Sequence, residues 1–486
     1  MNEQTQRRIE KLESLRSEGI HVYPERYAIN YDLLEAAQLE DGTNEVRVAG
    51  RITGIRSFRK LSFITISNVQ GKLQLLLNKE EIGEVLFDRF LQFLDIGDFI
   101  GVEGTMYTTN SGEKTLRIQS YTFLGKAFRP LPEKWHGLSS VELRYRQRYL
   151  DLIMTEETRS RLLTRTKLVR SIRRYFEDHD FIEVETPILQ HTSSGALAKP
   201  FTTYHNSLDT DLNLRIAPET YLKRLIVGGF TKVFEFAKCF RNEGISPQHL
   251  QEFTMLEGYA AYWNYEDTMK LMRNMILYVL EQTFQTTTIS INGQPINFAE
   301  EWEIVSFREL ILRDSGIDIN LYPNASQLYD AILEKDIHLD NPEAAYMGRG
   351  NLIDLLYKKI SRPSIIRPTF LIQHPIDLSP LARANDENAT LTDRFQLVIN
   401  GAEVINAYSE LVDPVEQRKR LEIQAHLKSN GDSEAMEMDE DYLAAMEYGM
   451  PPISGWGFGV ERLLMVLTES TTIKDCVFFP LTRKAE

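Results

Sequence analysis

The segment CFRNEGISPQHLQEFTMLEGY, Cys239 to Tyr259, decides how this chain is read. Taken with period two, Val233, Glu235, Ala237, Cys239 and Arg241 point one way, and Phe253, Met255, Glu257 and Tyr259 also share a face. The loop between the two runs is rich in Gly, Ser, Pro, Gln and His, which predicts a long antiparallel hairpin. A guanidinium, an aromatic ring and two carboxylates on one sheet face make a poor core. They make a sensible floor for an anionic, planar, amine-bearing ligand.

The surrounding chain is that of a multidomain globular protein. Its 486 residues are long for one core, and 42% apolar with 26% charged residues is ordinary composition. No run of about eighteen apolar residues occurs, and the start MNEQTQRRIEKLE has no signal-peptide core. Cys239 and Cys476 are too few for a disulfide framework, and no Cys/His cluster has zinc spacing, so a cytoplasmic location is expected. The net charge of −15 argues against a protein coated in nucleic acid, yet permits a local basic patch.

Gln4 to Gly19 reads as an amphipathic helix with Ile9, Leu12 and Leu15 on one stripe and Arg7, Arg8, Lys11 and Arg16 elsewhere. From Glu45 to about Leu124, short alternating segments predict five strands with one helical interruption, a small Greek-key barrel of the OB type. Such barrels stack single-stranded bases on aromatic side chains beside basic groups, and Phe63 with Arg56, Arg59 and Gln74 forms a candidate patch. A core role for Phe63 is the competing reading. A Pro-rich basic linker, KAFRPLPEKWHGL, follows, and a more helical stretch between about Asn264 and Ser364 reads as an insertion. The acidic run GDSEAMEMDEDY reads as a solvated loop and helix start rather than a metal site.

Two further segments carry chemistry. In LTDRFQLVINGAEVINAYSEL, Asn400-Gly401 is a hairpin signal that sets Val398 opposite Glu403. Gln396 and Glu403 then share one face, and Asn406, Tyr408 and Glu410 the other. All five can serve one site only if a bulge lies between Glu403 and Asn406. In GWGFGVERLLMVLTES, small residues at 455, 457 and 459 let a ligand approach the backbone, and Arg462 falls on the first turn of an apolar helix. Neither a GxGxxG fingerprint nor a P-loop is present, so any ATP must be held otherwise, for example by bidentate clamps from Arg241 and Arg462.

These stretches resemble a known family. FRNEGIS…EFTMLE is similar to motif 2 of the class II aminoacyl-tRNA synthetases, GFGVERLLM to motif 3, and FIEVETPIL, with Pro187, to the dimer-forming motif 1. RIAPETYLKRLIVGGFTKVFEFAKCFRNEGIS, NAYSELVDPVEQR and YGMPPISGWGFGVERLLM resemble the bacterial-type lysyl-tRNA synthetases of subclass IIb, over nearly the whole chain. The resemblance implies an α+β multidomain protein, with a five-stranded OB-type β-barrel and an antiparallel-sheet catalytic domain flanked by helices. The expected boundaries are an extension 1–44, a barrel 45–128, a linker 129–150 and a catalytic domain 151–486 with an insertion near 264–364. The N-terminal helix's basic residues are read either as a solvated face or as a tRNA contact.

The family's roles carry over position by position. Arg241 is expected at the substrate carboxylate and α-phosphate, Phe253 on adenine, Glu243 and His249 around ATP, and Arg462 at the γ-phosphate. Gly195 and Glu219 are expected at the α-amino group, and Glu257, Tyr259, Asn406, Tyr408, Glu410 and Gly457 in the lysine pocket. Arg56, Phe63, Gln74 and Glu113 correspond to anticodon-reading positions. Mg2+ is expected with ATP on Glu403 and Gln396, and the partners are L-lysine, ATP and tRNA(Lys), in a homodimer formed around Pro187.

The residues agree on substrate sign without the resemblance: Glu219, Glu257 and Glu410 suit a ligand with two ammonium groups, whereas aspartate or asparagine would want a cation or amide at the side-chain end. The expected reaction is in-line attack of the lysine carboxylate on the α-phosphorus of ATP, then transfer of lysyl to a terminal tRNA hydroxyl. Positioning and charge neutralisation carry it, without a dedicated nucleophile.

The chain departs from the family at Gln396, where Glu is usual, at Gln248, where Arg is usual, at Leu250-Gln251, at Ser193-Ser194 and at Gly258. These changes gather around ATP. A lysine-activating paralogue with another acceptor and a non-catalytic RNA-binding paralogue stay open. The barrel and Gly457 speak against the first, and Arg241, Glu403 and Arg462 against the second.

Overall fold

The computed structural model describes residues 3–132, 138, 140–196, 198–244, 246–429 and 436–483. Of the stretches quoted above, Met1, Asn2, Ile245, residues 133–137 of the linker and 431–435 of the acidic run lie outside the described residues. The chain divides into two compact units, Met1–Thr155 and Glu156–Glu486. Among the described residues no helix is long and apolar enough to cross a membrane, and Cys239 and Cys476 are both free and buried.

In the first unit, strands β1 (Val46–Ser57), β2 (Leu61–Ser67), β3 (Lys72–Asn78), β4 (Phe99–Thr108) and β5 (Lys114–Gly125) close into a barrel in the order β1-β2-β3-β5-β4. Period-two alternation turns Ile64, Ile66, Leu73, Leu75 and Leu77 inward, where each is essentially inaccessible. Helix α1 (Glu3–Ser17) is part of this unit rather than a separate extension, because Leu12 and Leu15 enter the barrel core. Two of its basic groups have structural partners: Arg8 donates to Ala127 O at 2.8 Å and Lys11 pairs with Asp95 at 2.7 Å. Arg7 and Arg16 pair only along their own helix, with Glu3 and Glu13.

The second unit is built on one large sheet. Its strands are β6 (Ile182–Glu183), β7 (Lys232–Phe240), β8 (Glu252–Ala261), β9 (Glu303–Ser306), β10 (Thr369–Ile372), β11 (Arg394–Ile399), β12 (Ala402–Ser409) and β13 (Ile453–Gly459). They run in the order β9-β10-β11-β12-β13-β8-β7-β6. The two edge pairings are parallel and all the inner ones antiparallel.

The register sorts side chains into rows across five strands. On the back, Phe234, Gly258, Trp456, Ala407 and Phe395 form one row, and Phe236, Leu256, Phe458, Ile405 and Leu397 the next. Helices α2 (Glu156–Glu177), α4 (Tyr265–Phe284) and α6 (Val460–Leu467) cover these rows and complete the main core. Removing a buried ring such as Phe234 would cost about 3–5 kcal/mol. On the front, the corresponding rows are Glu235, Glu257, Gly457, Asn406 and Gln396, and then Val233, Tyr259, Gly455, Tyr408 and Arg394. Helices α3 (Glu219–Val227) and α5 (Glu440–Glu447) pack against residues of this second face, including Tyr259 and Tyr408.

The insertion is smaller than the sequence suggested. Helix α4, capped at Asn264 by a reciprocal bond with Asp267, belongs to the main core, and so does the hairpin Thr288–Asn297. The separately packed helical segment runs from Phe307 to Ile365, where Leu310, Leu328, Leu352 and Leu356 form their own cluster. Helical periodicity alone does not distinguish a helix laid on the main sheet from one inserted beside it.

Candidate active site

A cavity of about 380 Å³ opens on the front of the sheet. Its wall includes Gly195, Glu219, Arg241, Glu243, His249, Phe253, Glu257, Tyr259, Glu403, Asn406, Tyr408, Glu410, Gly457 and Arg462. Gln248, one of the departures from the family pattern, lines it as well, while Gln396 reaches it only through Glu403.

The hairpin geometry explains how these residues meet. In β7–β8, Cys239 opposes Phe253 and Glu235 opposes Glu257, and the backbone N–H of Arg241 donates to Gln251 O at 2.9 Å, one step beyond the strands. In β11–β12, Asn400 and Gly401 both take positive φ, +50° and +67°, as a type I′ turn requires. Val398 opposes Glu403, whereas Leu397 opposes Ile405, so Val404 is the extra residue of a bulge. That bulge brings Glu403 onto the face of Asn406 and Tyr408, which simple alternation could not do. Strand β13 sits between β8 and β12, with Gly457 between Glu257 and Asn406 and Gly455 between Tyr259 and Tyr408. A Cβ on Gly455 would lie 2.3 Å from both Glu410 Oε1 and Tyr259 Cε1, so only glycine fits. Gly195 has φ +88°, and its Cβ would meet that of Glu219 at 2.9 Å.

The two ends of the cavity differ in charge. At one end, the Arg241 guanidinium stands 5.1 Å from the Phe253 ring centre and, among the described residues, makes only long contacts, 3.4 Å, to Ile216 O. Arg462 donates to Glu403 O at 3.2 Å, and burial lowers its pKa, partly offset by Glu403. His249 Nδ1 lies 2.7 Å from Ser246 Oγ, and desolvation with the nearby Arg462 lowers its pKa, which keeps the ring neutral.

At the other end lie buried carboxylates. Among the described residues, Glu257 Oε2 and Glu410 Oε1 have no hydrogen-bond partner. Burial, reinforced by Glu219, pushes the Glu257 carboxyl well above the usual range, and burial pushes Glu410 up to about 8. Glu219 is engaged by the protein itself: Lys223 Nζ pairs with its Oε1 at 2.5 Å, and Tyr408 OH donates to both oxygens at 3.1 and 3.2 Å.

Near Glu403 the donor set suits a hard cation. Gln396 Nε2 donates to Glu403 Oε2 at 3.0 Å, and Gln396 Oε1 is buried with no hydrogen bond of normal geometry among the described residues, although the side chain lies beside buried His374. A carboxylate and an orphaned amide oxygen on neighbouring strands are oxygen ligands of the kind that Mg2+ takes together with substrate phosphates.

Sequence reasoning gave no role to Arg394, in the cavity wall, or to Lys223, which touches that wall from inside. Arg394 donates to Asn406 Oδ1 at 2.9 Å and to Leu378 O at 2.8 Å, and so fixes which way the Asn406 amide points. Lys223 lies wholly inside the protein. A signal for it existed, since it follows Glu219 by four residues on a helix, the spacing that brings two side chains together.

In the barrel, Arg56 opposes Phe63 and Thr65 opposes Gln74, which sets Arg56, Phe63 and Gln74 on the outer face. Gln74 Nε2 donates to Thr115 Oγ1 at 2.8 Å, and exposed Glu113 lies two residues away from that threonine. Phe63 is half-buried and meets the exposed Phe58 ring edge-on at 6.2 Å, so it is an accessible aromatic and not a core residue.

Residues 140–483 match the family model for tRNA synthetases class II (D, K and N), and residues 46–124 match that for the OB-fold nucleic acid binding domain. The chain is 44% identical to a lysine–tRNA ligase of Carboxydothermus hydrogenoformans, over 99% of this chain and 98% of that protein. It is 42% identical to one of Thermotoga maritima over 99% and 96%. With one of Aquifex aeolicus it shares 44% identity over 93% of this chain and 75% of that protein. The chain belongs to the class II tRNA synthetases of the D, K and N group, and within it to the lysine–tRNA ligase family.

Proposed function

We propose that the cavity activates L-lysine with ATP and that the enzyme then transfers the lysyl group to tRNA(Lys). The observation that carries this reading is the pair of buried, unpartnered carboxylate oxygens, Glu257 Oε2 and Glu410 Oε1, at the end of the cavity away from two arginines. A buried carboxylate without a cation is costly, and a ligand with two ammonium groups removes that cost twice.

Lysine lies with its ammonium groups among Glu219, Glu257 and Glu410, walled by Gly195, Tyr259, Asn406, Tyr408 and Gly457. Its carboxylate faces Arg241. ATP stacks its adenine on Phe253, with Glu243 and His249 beside the nucleotide and Arg462 at the γ-phosphate. Glu403 and Gln396 would hold Mg2+, which supplies charge neutralisation at the phosphates. Arg241 aligns the lysine carboxylate with the α-phosphorus. A carboxylate oxygen attacks, the α–β bridge breaks, and lysyl-adenylate and pyrophosphate form. The terminal adenosine's 2′- or 3′-hydroxyl then attacks the acyl carbon and releases AMP. Fixed cations meet charge where it develops, so orientation and electrostatics supply the rate.

The barrel, with Arg56, Phe63, Gln74 and Glu113 on its outer side, is read as the anticodon-binding unit. The same reading makes the chain cytoplasmic and a homodimer joined around Pro187, where Ile182, Ile188 and Leu189 are exposed. The test is lysine-dependent ATP–pyrophosphate exchange followed by transfer of labelled lysine to tRNA. Both activities are expected. Exchange without transfer would refute the tRNA step, and absence of exchange with lysine would refute the whole reading.

A further inference from the structure

Lys223, on α3, is completely inaccessible and sits against two wall residues of the cavity's acidic end, Glu219 and Glu410. Its Nζ pairs with Glu219 Oε1 and with Glu410 Oε2, both at 2.5 Å. Three aromatic rings surround the same ammonium, those of Tyr259 and Tyr408 at 5.9 Å and Tyr442 at 5.7 Å. These five groups come from α3, β8, β12 with the residue after it, and α5. We infer that Lys223 is a positioning residue that fixes the charge of the ligand this pocket accepts. The inference rests on the lysine-activating reading given above.

Charge balance motivates it. With every group ionised, Glu219, Glu257 and Glu410 face Lys223 and Arg241, which leaves one negative charge over. Lysine, with two ammonium groups and one carboxylate, brings one positive charge over. A neutral amino acid would leave that charge unmatched or a carboxyl still holding its proton, and a pocket without Lys223 would hold one more carboxylate than lysine can satisfy.

Geometry adds a second argument. By holding Glu410 Oε2, Lys223 turns Oε1 towards Gly455, where the missing Cβ leaves that oxygen uncovered. The resident lysine thus decides which carboxylate oxygen a substrate ammonium can reach.

The test is calorimetry of lysine binding at pH 7 in two buffers of different ionisation heat, with ATP titrated in parallel. The proteins are the full wild-type chain, K223M and K223R. In K223M one of the two stranded carboxylates carries a proton in the free pocket and must lose it to meet the ligand. Lysine binding is then expected to weaken roughly tenfold and to release about one more proton than in the wild type, with ATP affinity within about twofold. K223R keeps the charge and is expected to restore the wild-type proton count. A K223M protein that binds ATP normally, with unchanged lysine affinity and proton release, would overturn the inference and make Lys223 a structural cross-link only. Should K223M not fold, K223R decides alone, and a proton count different from wild type would overturn it. A wild-type chain that binds ATP but no lysine would overturn the functional reading itself, a result separate from either variant.

Discussion

Lowering the pH from 8 to 6 should weaken lysine binding by about fiftyfold, because protons and substrate ammonium compete for the same buried oxygens. Burial pushes the Glu410 carboxyl up to about 8 in the ligand-free pocket. The sign follows directly. A cation binds the ionised form, so lysine binding expels a proton, and affinity rises with pH until the free pocket is ionised. With a pKa of about 8, the pocket is roughly 1% ionised at Glu410 at pH 6 and about half ionised at pH 8, a ratio of about fifty, or ~2.3 kcal/mol at 1.36 kcal/mol per tenfold. Glu257 is also raised, by burial and by Glu219, and acts in the same direction, so the slope can only be steeper. Lys223 is held charged, since its pKa is raised despite burial by Glu219 and Glu410, and it adds no slope. The assay is calorimetric lysine affinity at half-unit steps between pH 6 and 8, with E410Q as comparison, where the slope should fall by about one proton. A wild-type affinity that is flat, or that strengthens towards pH 6, would refute the reasoning about buried free carboxylates.

Other expectations rest on different parts of the site. G455A forces a Cβ to 2.3 Å from Glu410 Oε1 and Tyr259 Cε1. Overpacking of this kind costs about 1–3 kcal/mol, so the KM for lysine should rise about ten- to a hundredfold with a lower Tm, and unchanged values would show that the sheet yields freely. In G457A the new Cβ meets nothing closer than Met255 Sδ at 3.6 Å. Its Tm should therefore stay within about 1 °C while lysine binding weakens, and a Tm loss like that of G455A would contradict the assignment of that space to ligand. Q396E sets a second carboxylate beside Glu403 in place of a 3.0 Å amide bond. Melting curves across a Mg2+ titration should show a less stable metal-free protein and a larger Mg2+-dependent rise, and a titration superimposable on wild type would exclude Glu403 and Gln396 as the ligands. F63A removes an aromatic stacking surface worth about 1–3 kcal/mol per base, so the KM for tRNA should rise by roughly tenfold while pyrophosphate exchange is untouched, and a parallel loss of exchange would place Phe63 in the fold instead.

Local pattern carried much of this site. Period-two alternation set Phe253, Glu257 and Tyr259 on one face, and the Asn-Gly turn fixed the β11–β12 register to the residue. The convergence of Glu403 with Asn406 demanded a bulge, and Val404 is that bulge. What pattern could not deliver was strand order. β13 enters the middle of the sheet, between β8 and β12, although it is the last strand in sequence. That order is set by which faces bury best against α2, α4 and α6, a tertiary property. It also explains Gly258: a Cβ there would stand 2.3 Å from the Trp456 ring, which comes from the strand inserted beside it. Lys223 was only half legible for the same reason: Glu219 stands four residues before it, but its second carboxylate lies far along the chain at Glu410.

The acidic end poses a problem of selection, because four buried glutamates cannot all be reserved for a ligand. Glu235 and Glu257 face each other across β7 and β8 on the same side of the sheet, yet their fates differ. Arg215 pairs with Glu235 Oε1 at 2.6 Å with both side chains buried, and Thr186 Oγ1 donates to its Oε2 at 2.6 Å. Glu235 is therefore saturated inside the protein and unavailable to substrate. Glu219 already accepts at both oxygens from Lys223 and Tyr408 and keeps only a spare lone pair for a ligand, and Glu410 is engaged at one oxygen by Lys223. Only Glu257 and one oxygen of Glu410 are left wanting a partner among these residues. On the lysine-activating reading proposed above, two resident cations, Arg215 and Lys223, thus convert an acidic patch of little intrinsic selectivity into a receptor for two ammonium groups. The carboxylates supply attraction, but the cations decide where it is spent, and the discrimination of lysine from smaller or neutral amino acids lives in that division.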